Sequence, residues 1–201
     1  MRLAVFASGS GSNLAALLTA CEEGRLPARA VGAVCNNPGA GAISRAERFG
    51  LPVFVCDHRA FSSREAHEEA ILAWLRPLRP DWIALAGYMR LLTPHFLRAY
   101  PGRVVNIHPA DTRRHKGGGG YEWALREGLT ETCVTVHYVD EGMDTGDIIA
   151  QAPVAILPGD TLESLEARGL AVEHELYVRA LAGVIGPGAA AGLPGSAGVA
   201  T

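Results

Sequence analysis

An asparagine and a histidine, Asn106 and His108, stand two residues apart near the middle of the chain. Their neighbours Val104, Val105 and Ile107 are β-branched, which favours a strand. Side chains two residues apart in a strand point to the same face, so an amide and an imidazole would lie side by side. A proline follows and should end the strand. Because ligands gather at the carboxyl ends of strands in open α/β sheets, the pair is a candidate catalytic pair; the alternative is a strand-end histidine that bonds only backbone.

A glycine-rich loop lies between the predicted first strand, residues 3–7, and the predicted first helix. Residues 8–13 are Ser-Gly-Ser-Gly-Ser-Asn, and apolar residues at helical spacing follow. Glycines let backbone N–H groups approach an anion, and a helix N-terminus favours negative charge. Leu14 replaces the third glycine of a dinucleotide fingerprint, so a single phosphate is favoured over NAD. A strand–helix turn that binds nothing is the alternative.

Hydrophobic patterns predict further elements along the chain. The strands are expected at 31–35, 53–56, 82–86 and 148–156, and helices at 40–49, 62–76, 121–127 and from 93 and 160 onward. Ser62 and Asp160 are predicted helix N-caps, each with a glutamate three residues later. Pro77 is expected to end the helix that Ser62 begins, and Thr93 to cap the next one. Residues 132–139 alternate in polarity, which predicts an antiparallel or edge strand.

Two loops near these strands have compositions that suit a site. Residues 110–120 are basic and end in four consecutive glycines. Because ordering glycines is costly, we expect either a mobile loop that closes over substrate or a plain connector. Residues 140–147 carry four acids without the spacing of a calcium loop. Turn chemistry explains most of these acids, and one of them is a candidate partner for His108.

Length and composition limit the class of protein. The 201 residues suit a single domain, 1–185, followed by a low-complexity tail, 186–201, that should be disordered. A formal net charge of −3 argues against nucleic-acid and membrane-surface partners, and no apolar run is long enough to span a membrane. The four cysteines form no Cys-x-x-Cys pair and are interpreted as buried free thiols. With no signal-peptide pattern, these features predict a soluble cytoplasmic protein.

Four ordered motifs resemble those of the phosphoribosylglycinamide formyltransferase family. They are Ser-Gly-Ser-Gly-Ser-Asn-Leu at 8–14, Ala-Gly-Tyr-Met-Arg-Leu-Leu at 86–92, Asn-Ile-His-Pro at 106–109, and Val-His-Tyr-Val-Asp-Glu-Gly-Met-Asp-Thr-Gly at 136–146. The resemblance covers about residues 1–185. It implies an α/β, Rossmann-like formyltransferase fold, with a mostly parallel seven-stranded sheet and helices on both faces.

The resemblance also implies an activity and its partners. The activity is transfer of the formyl group of the cosubstrate 10-formyltetrahydrofolate to the amine of glycinamide ribonucleotide, in de novo purine (IMP) biosynthesis, without a metal. The partners would be these small molecules, with no nucleic acid or membrane, and the protein would be a monomer or homodimer. Methionyl-tRNA formyltransferases and formyltetrahydrofolate hydrolases carry added domains for which the chain has no room. A hydrolase, or a non-catalytic phosphate-ligand binding module on the same scaffold, is the alternative.

Site residues follow from the same resemblance. The implied catalytic residues are Asn106, His108 and Asp144; the ribonucleotide-binding residues are Gly11, Ser12, Asn13 and Glu173; the folate-binding residues are Arg64, Met89, Arg90, Leu91, Leu92, Asn106 and Asp140. Asp144 opposite His108 would favour the imidazolium and so raise the pKa of His108. The chain departs from the family after Pro109, where Ala-Asp-Thr-Arg-Arg replaces the common Ser-Leu-Leu-Pro, so the contacts of the closing loop differ.

Overall fold

Strands and helices alternate along the chain in the computed structural model, which describes residues 1–186. The strands are β1 (Arg2–Ala7), β2 (Arg29–Cys35), β3 (Val53–Val55), β4 (Trp82–Leu85), β5 (Val104–His108), β6 (Glu131–Tyr138) and β7 (Ile148–Ala155). The helices are α1 (Ser12–Glu22), α2 (Gly41–Arg48), α3 (Arg64–Leu78), α4 (Pro94–Ala99), α5 (Gly120–Arg126) and α6 (Leu162–Ile185), with a 3₁₀ turn at His58–Ala60. The predicted tail lies outside the described residues, except for Gly186, which follows α6 as its C-cap.

The seven strands form one sheet in the order β3-β2-β1-β4-β5-β6-β7. Strands β1 to β5 pair in parallel, while β6 is antiparallel to both β5 and β7. The predicted mostly parallel seven-stranded sheet is confirmed. Of the two alternatives for 132–139, the antiparallel strand is correct and the edge strand is wrong, because β7 pairs with the other side of β6. Because the chain leaves β1 toward β2 on one side and returns to β4 on the other, the strand order reverses between β1 and β4. Crevices that bind ligands form at such reversals, outside the carboxyl ends of the strands.

Helices cover both faces of the sheet, because alternate residues of β1 enter two separate apolar cores. Leu3 and Val5 are fully buried in a core shared with α1, α2, α5 and α6. Ala4 and Phe6 are fully buried in a second core with α3 and α4. Phe6 makes edge-to-face contacts with two aromatic rings of this second core, at centroid distances of 5.3 and 5.7 Å. The expectation of an α/β fold with helices on both faces is confirmed.

Two helices begin one residue later than predicted. Helix α3 is capped by Ser63 rather than Ser62, and α6 by Thr161 rather than Asp160. Ser63 and Thr161 have the extended backbone of a cap, and each side chain accepts an N–H of its own first turn. Asp160 instead accepts hydrogen bonds from the guanidinium of Arg168.

Two smaller predictions are also corrected. Helix α3 continues one residue beyond Pro77, which lies so near the helix end that little of the hydrogen-bond ladder is lost. The four cysteines are free, but only Cys35 and Cys56 are buried, whereas Cys21 and Cys133 are half-buried. Among the helices of residues 1–186, none combines the length and apolar character needed to cross a membrane.

Candidate active site

A cavity of about 340 Å³ lies at the carboxyl ends of β4 and β5. Its wall also includes the strand β6, the loops after β4 and β6, the glycine run before α5, and one residue each from α1 and α6. The predicted site residues that line it are Asn13, Met89, Arg90, Leu91, Leu92, Asn106, His108, Asp140, Asp144 and Glu173. Within the described chain, Gly11, Ser12 and Arg64 are not part of the lining, and Arg64 is an exposed residue at the start of α3.

The glycine loop brings the start of α1 close to α2. Gly11 is the N-cap of α1 and adopts a φ of 79°, in the left-handed region that favours glycine. A Cβ at this position would lie 2.6 Å from the Cα of Ala42, so only glycine fits. By helix geometry the first N–H groups, beginning at Ser12, have no intrahelical acceptor and remain available for an anion.

The loops after β1 and β4 are joined by hydrogen bonds. The N–H of Ser8 donates to the carbonyl of Gly87 at 3.1 Å, and its hydroxyl accepts the N–H of Met89 at 2.8 Å. These bonds hold the segment 89–92 as one wall of the cavity. Met89 and Leu91 are 71% and 42% exposed, so the wall presents apolar surface that suits a flat ligand.

A buried acid anchors the far end of this wall. Glu68 of α3 is only 3% exposed, and its carboxylate accepts hydrogen bonds from both the N–H and the hydroxyl of Thr93. Thr93 follows Leu92 directly and occupies the N-cap position of α4, as predicted. Its side chain binds Glu68 instead of its own helix. Because a buried carboxylate is costly without donors, this pair fixes where the wall ends.

Asp144 stands between two histidines and the glycine run. Its Oδ2 is 3.5 Å from Nδ1 of His108 and accepts the backbone N–H of Gly117 at 2.8 Å. Its Oδ1 is 3.5 Å from Nε2 of His137 and accepts Nδ2 of Asn106 at 3.3 Å. The structure thus brings the three expected catalytic residues together. Asp144 has a φ of 51°, a left-handed conformation that few residues other than glycine adopt.

For each of the two histidines, a neighbouring carbonyl group indicates which ring nitrogen carries the hydrogen in the neutral form. Nε2 of His108 lies 3.1 Å from the carbonyl of His115 and therefore carries hydrogen, which leaves Nδ1 as the basic atom. Nδ1 of His137 lies 2.7 Å from the carbonyl of Tyr138 and carries hydrogen in the same way. Nε2 of His137 is then an acceptor, and it receives Nδ2 of Asn106 at 3.2 Å.

Burial dominates the charge state of His108. Burial lowers the pKa of His108 below its ordinary value, and the attraction of Asp144 opposes this shift without reversing it. Asp144 therefore raises the pKa of His108 as expected, but burial is the larger effect, so the expected net rise is not observed. Burial by itself would raise the pKa of Asp144, but its hydrogen bonds, including that from the N–H of Gly117, and the charge of His108 outweigh burial and hold that pKa at about 2. The resting pair is a neutral imidazole beside a carboxylate.

Glu173 connects α6 to two distant parts of the chain. It is 6% exposed; its Oε2 accepts Nδ2 of Asn13 at 2.6 Å, and its Oε1 accepts the hydroxyl of Tyr121 at 2.8 Å. The Oδ1 atom of Asn13 is buried and has no hydrogen-bond partner among the described residues. Buried oxygens are nearly always satisfied, so this atom marks a place where a ligand could donate.

Three residues of this region are absent from the sequence-based assignment: Gly117, Tyr121 and His137. Strand alternation could have found His137, because it pairs directly with Asn106 in the antiparallel register of β5 and β6. The glycine run at 117–120 was expected beside the site, but no sequence signal identifies Gly117 as the donor to Asp144 or Tyr121 as the partner of Glu173. Their roles depend on how the glycine run folds back onto Asp144 and how α5 packs against α6.

Comparison with known proteins agrees with this architecture. The family model for formyl transferase matches residues 1–181. Phosphoribosylglycinamide formyltransferase of Bacillus subtilis is 43% identical over 185 residues, which cover 92% of this chain and 95% of that protein. The trifunctional purine biosynthetic protein adenosine-3 of Drosophila pseudoobscura is 43% identical over 183 residues, which cover 90% of this chain but only 13% of that longer protein.

A solved structure shows the same fold. The crystal structure of glycinamide ribonucleotide transformylase 1 from Geobacillus kaustophilus superposes with a TM-score of 0.88 at 51% identity, covering 92% of this chain and 98% of that one. The family model extends from β1 into the long helix α6. The chain therefore belongs to the formyl transferase family, within which it matches phosphoribosylglycinamide formyltransferases along almost its whole length.

Proposed function

We propose that this protein transfers the formyl group of 10-formyltetrahydrofolate to the amine of glycinamide ribonucleotide, in purine biosynthesis. One observation carries the proposal: a single cavity is lined both by Asn106, His108 and Asp144 and by Asn13 and Glu173. The first three residues supply an amide, an imidazole and a carboxylate for acyl transfer. The other two supply hydrogen-bond acceptors for the substrate that receives the formyl group.

The formyl-folate is proposed to lie against the segment 89–92, with Asp140 on the opposite loop. Support comes from the exposed apolar side chains of this segment and from its fixation at both ends, to the glycine loop and to Glu68. A rigid apolar wall of this kind binds a flat ring at little entropic cost. Arg90 lines the same cavity and would attract an acidic part of the cosubstrate. Arg64 lies outside the lining, and its folate contact remains a prediction from the resemblance.

The ribonucleotide is proposed to bind at the other end of the cavity. Its phosphate would meet the N–H groups of Gly11, Ser12 and Asn13, where a glycine turn precedes a helix of three turns. Its amine-bearing part would meet Glu173. The unpaired Oδ1 of Asn13 supports this placement, because it offers a buried acceptor to a donor group of the substrate.

The proposed reaction begins when the substrate amine attacks the formyl carbon and negative charge develops on the formyl oxygen. Asn106 is proposed to donate to that oxygen, and each such donor is worth roughly 3–4 kcal/mol of transition-state stabilisation. Both N–H groups of Asn106 are already directed at His137 and Asp144. The formyl oxygen must therefore replace one of these partners. No metal is needed for this step.

His108 is proposed to move the proton. The attacking nitrogen loses one proton and the departing folate nitrogen gains one, so a single base that becomes an acid completes the exchange. A lowered pKa leaves His108 neutral and able to accept at Nδ1. The resulting imidazolium would lie 3.5 Å from the Asp144 carboxylate, which stabilises it.

We further propose that the protein acts in the cytoplasm on these small molecules alone, as a monomer or homodimer, without nucleic-acid or membrane partners. Four cysteines that are free in the described chain suit a reducing compartment. A net charge of −3 gives no general attraction to nucleic acid.

The decisive experiment follows deformylation of 10-formyltetrahydrofolate with and without glycinamide ribonucleotide. We expect release of tetrahydrofolate only when the ribonucleotide is present, with formylglycinamide ribonucleotide formed in equal amount. Release without the ribonucleotide would indicate a hydrolase. Binding of the ribonucleotide without any release would indicate a non-catalytic module.

A further inference from the structure

We infer that Tyr121 is a positioning residue for the acceptor substrate: its hydroxyl holds the Glu173 carboxylate in the orientation that meets glycinamide ribonucleotide. The inference rests on the proposed function and adds a residue to it. Tyr121 is buried and donates to Oε1 of Glu173 at 2.8 Å. Within the described chain, it does not belong to the cavity lining, so its effect on a substrate must pass through Glu173.

The packing of α6 is adapted to this phenol. Gly169 precedes Glu173 by four residues, so both lie on the same face of the helix. A Cβ at Gly169 would overlap the hydroxyl of Tyr121. A glycine in the middle of a helix lowers helix stability, and here its missing side chain makes the space that brings the hydroxyl to the carboxylate. The glycine and the tyrosine therefore act as a pair.

Two donors fix the carboxylate of Glu173 on opposite sides. Nδ2 of Asn13 reaches Oε2 at 2.6 Å, while Tyr121 reaches Oε1, so rotation of the group would break one bond or the other. The remaining lone pairs of Glu173 and the unpaired Oδ1 of Asn13 are all acceptors. Such a surface selects a ligand part that donates hydrogen bonds, as an amine or a hydroxyl does. Its selectivity depends on the carboxylate staying in place.

The same segment of chain reaches the catalytic carboxylate. Tyr121 is the second residue of α5, directly after the glycine run. Gly117, at the start of that run, donates its N–H to Asp144. Gly120 packs so tightly on the Pro109 carbonyl that a Cβ would overlap it. The start of α5 therefore has a fixed position relative to both ends of the cavity.

A double-mutant cycle tests the inference on the full chain. The variants are Tyr121→Phe, Glu173→Gln and the double variant, and the measurements are the Kd for glycinamide ribonucleotide by calorimetry and both KM values with kcat. Removing a hydrogen bond to a charged group should weaken acceptor binding about tenfold. The KM for formyl-folate should change less than about twofold. The double variant should bind the acceptor no more weakly than Glu173→Gln alone, because the two residues act as one unit.

Two controls separate positioning from general damage. Tyr100→Phe removes the hydroxyl of a half-buried tyrosine outside the cavity lining and should leave every constant unchanged. Gly169→Ala should displace the phenol and reproduce the loss of acceptor binding, whereas Gly183→Ala, with open space in the same helix, should not.

Each outcome decides the inference. Additive effects in the cycle, or equal losses for both substrates, would overturn the positioning role while the proposed function stands. Wild-type protein that binds the ribonucleotide but transfers no formyl group would overturn the proposed function alone, since the cycle can still be completed on Kd. Wild-type protein that does not bind the ribonucleotide would overturn both.

Discussion

Oδ2 of Asp144 lies 3.5 Å from Nδ1 of His108, and the two side chains are only 12% and 6% exposed. The pair is not a resting ion pair, because burial keeps the pKa of His108 below its ordinary value. It is a base beside a fixed charge. The neutral ring directs the lone pair of Nδ1 at the carboxylate, and this contact becomes an attraction that favours the imidazolium when a proton arrives.

The first prediction concerns the charge of Asp144. Asn can occupy the left-handed region as Asp does, so Asp144→Asn removes the charge with little backbone disturbance. We expect kcat to fall about a hundredfold, while the Kd values of both substrates change less than about threefold. Steady-state kinetics with calorimetric Kd values check this. Asp147→Asn, an exposed acid of the same loop, is the matched control. An unchanged kcat in Asp144→Asn would remove this residue from the catalytic group.

The second prediction concerns the titration of His108. Its pKa should lie below 6.5, so that most molecules carry a neutral ring at pH 6.5 and above. Since Asp144 favours the charged ring, Asp144→Asn should lower the pKa of His108 further. Imidazole carbon shifts followed by NMR against pH give both values, and a His108→Gln variant assigns the resonance. A pKa that rises when the carboxylate is removed would contradict this account.

The third prediction separates two reasons why position 11 requires glycine: its close contact with α2 and its left-handed backbone. Gly11 and Gly24 have nearly the same φ, 79° and 73°, but only Gly11 has a neighbour within reach of a Cβ. Gly24→Ala should cost about 1–2 kcal/mol of unfolding free energy, for the left-handed backbone alone. Gly11→Ala should cost about 1–3 kcal/mol more, because α2 must move away. Urea unfolding measures both, and equal losses would mean that the contact with Ala42 relaxes freely.

The fourth prediction concerns the acid behind the cavity wall. Glu68→Ala leaves the N–H and hydroxyl of Thr93 without their acceptor and should lower the unfolding free energy by about 2–4 kcal/mol. Glu68→Gln keeps one acceptor oxygen and should cost less. Glu69→Ala, at the exposed neighbouring position, should stay within about 0.5 kcal/mol of the wild type. Urea unfolding gives the loss of unfolding free energy for each of the three variants. A small loss in Glu68→Ala would show that water replaces the carboxylate as the acceptor for Thr93.

The sequence predicted those parts of the structure that depend on local pattern. The strand at 104–108, its end at a proline, and the alternation that makes 132–139 antiparallel all follow from neighbouring residues. Helix caps were wrong by one residue at Ser62 and Asp160, because several polar residues stand in a row and only tertiary packing selects among them.

The site was harder to predict wherever it joins distant segments. The bond between Asn13 and Glu173 spans 160 positions in the chain, and the role of Tyr121 depends on a glycine in another helix. The net direction of the His108 pKa shift could not be predicted for a related reason. The partner of the ring could be inferred from motifs, whereas the extent of its burial is a property of the assembled cavity.

The left-handed backbone of Asp144 has a consequence for engineering. Glycine at this position would relax the backbone by about 1 kcal/mol, but it would also leave the N–H of Gly117 without its acceptor, at a cost of about 1–3 kcal/mol. A screen that selects only for heat resistance would therefore have little to gain from replacing the carboxylate that is proposed to act in turnover. Thermostable versions of this enzyme should be sought with position 144 held constant and the gains taken from helix surfaces and loops remote from the cavity.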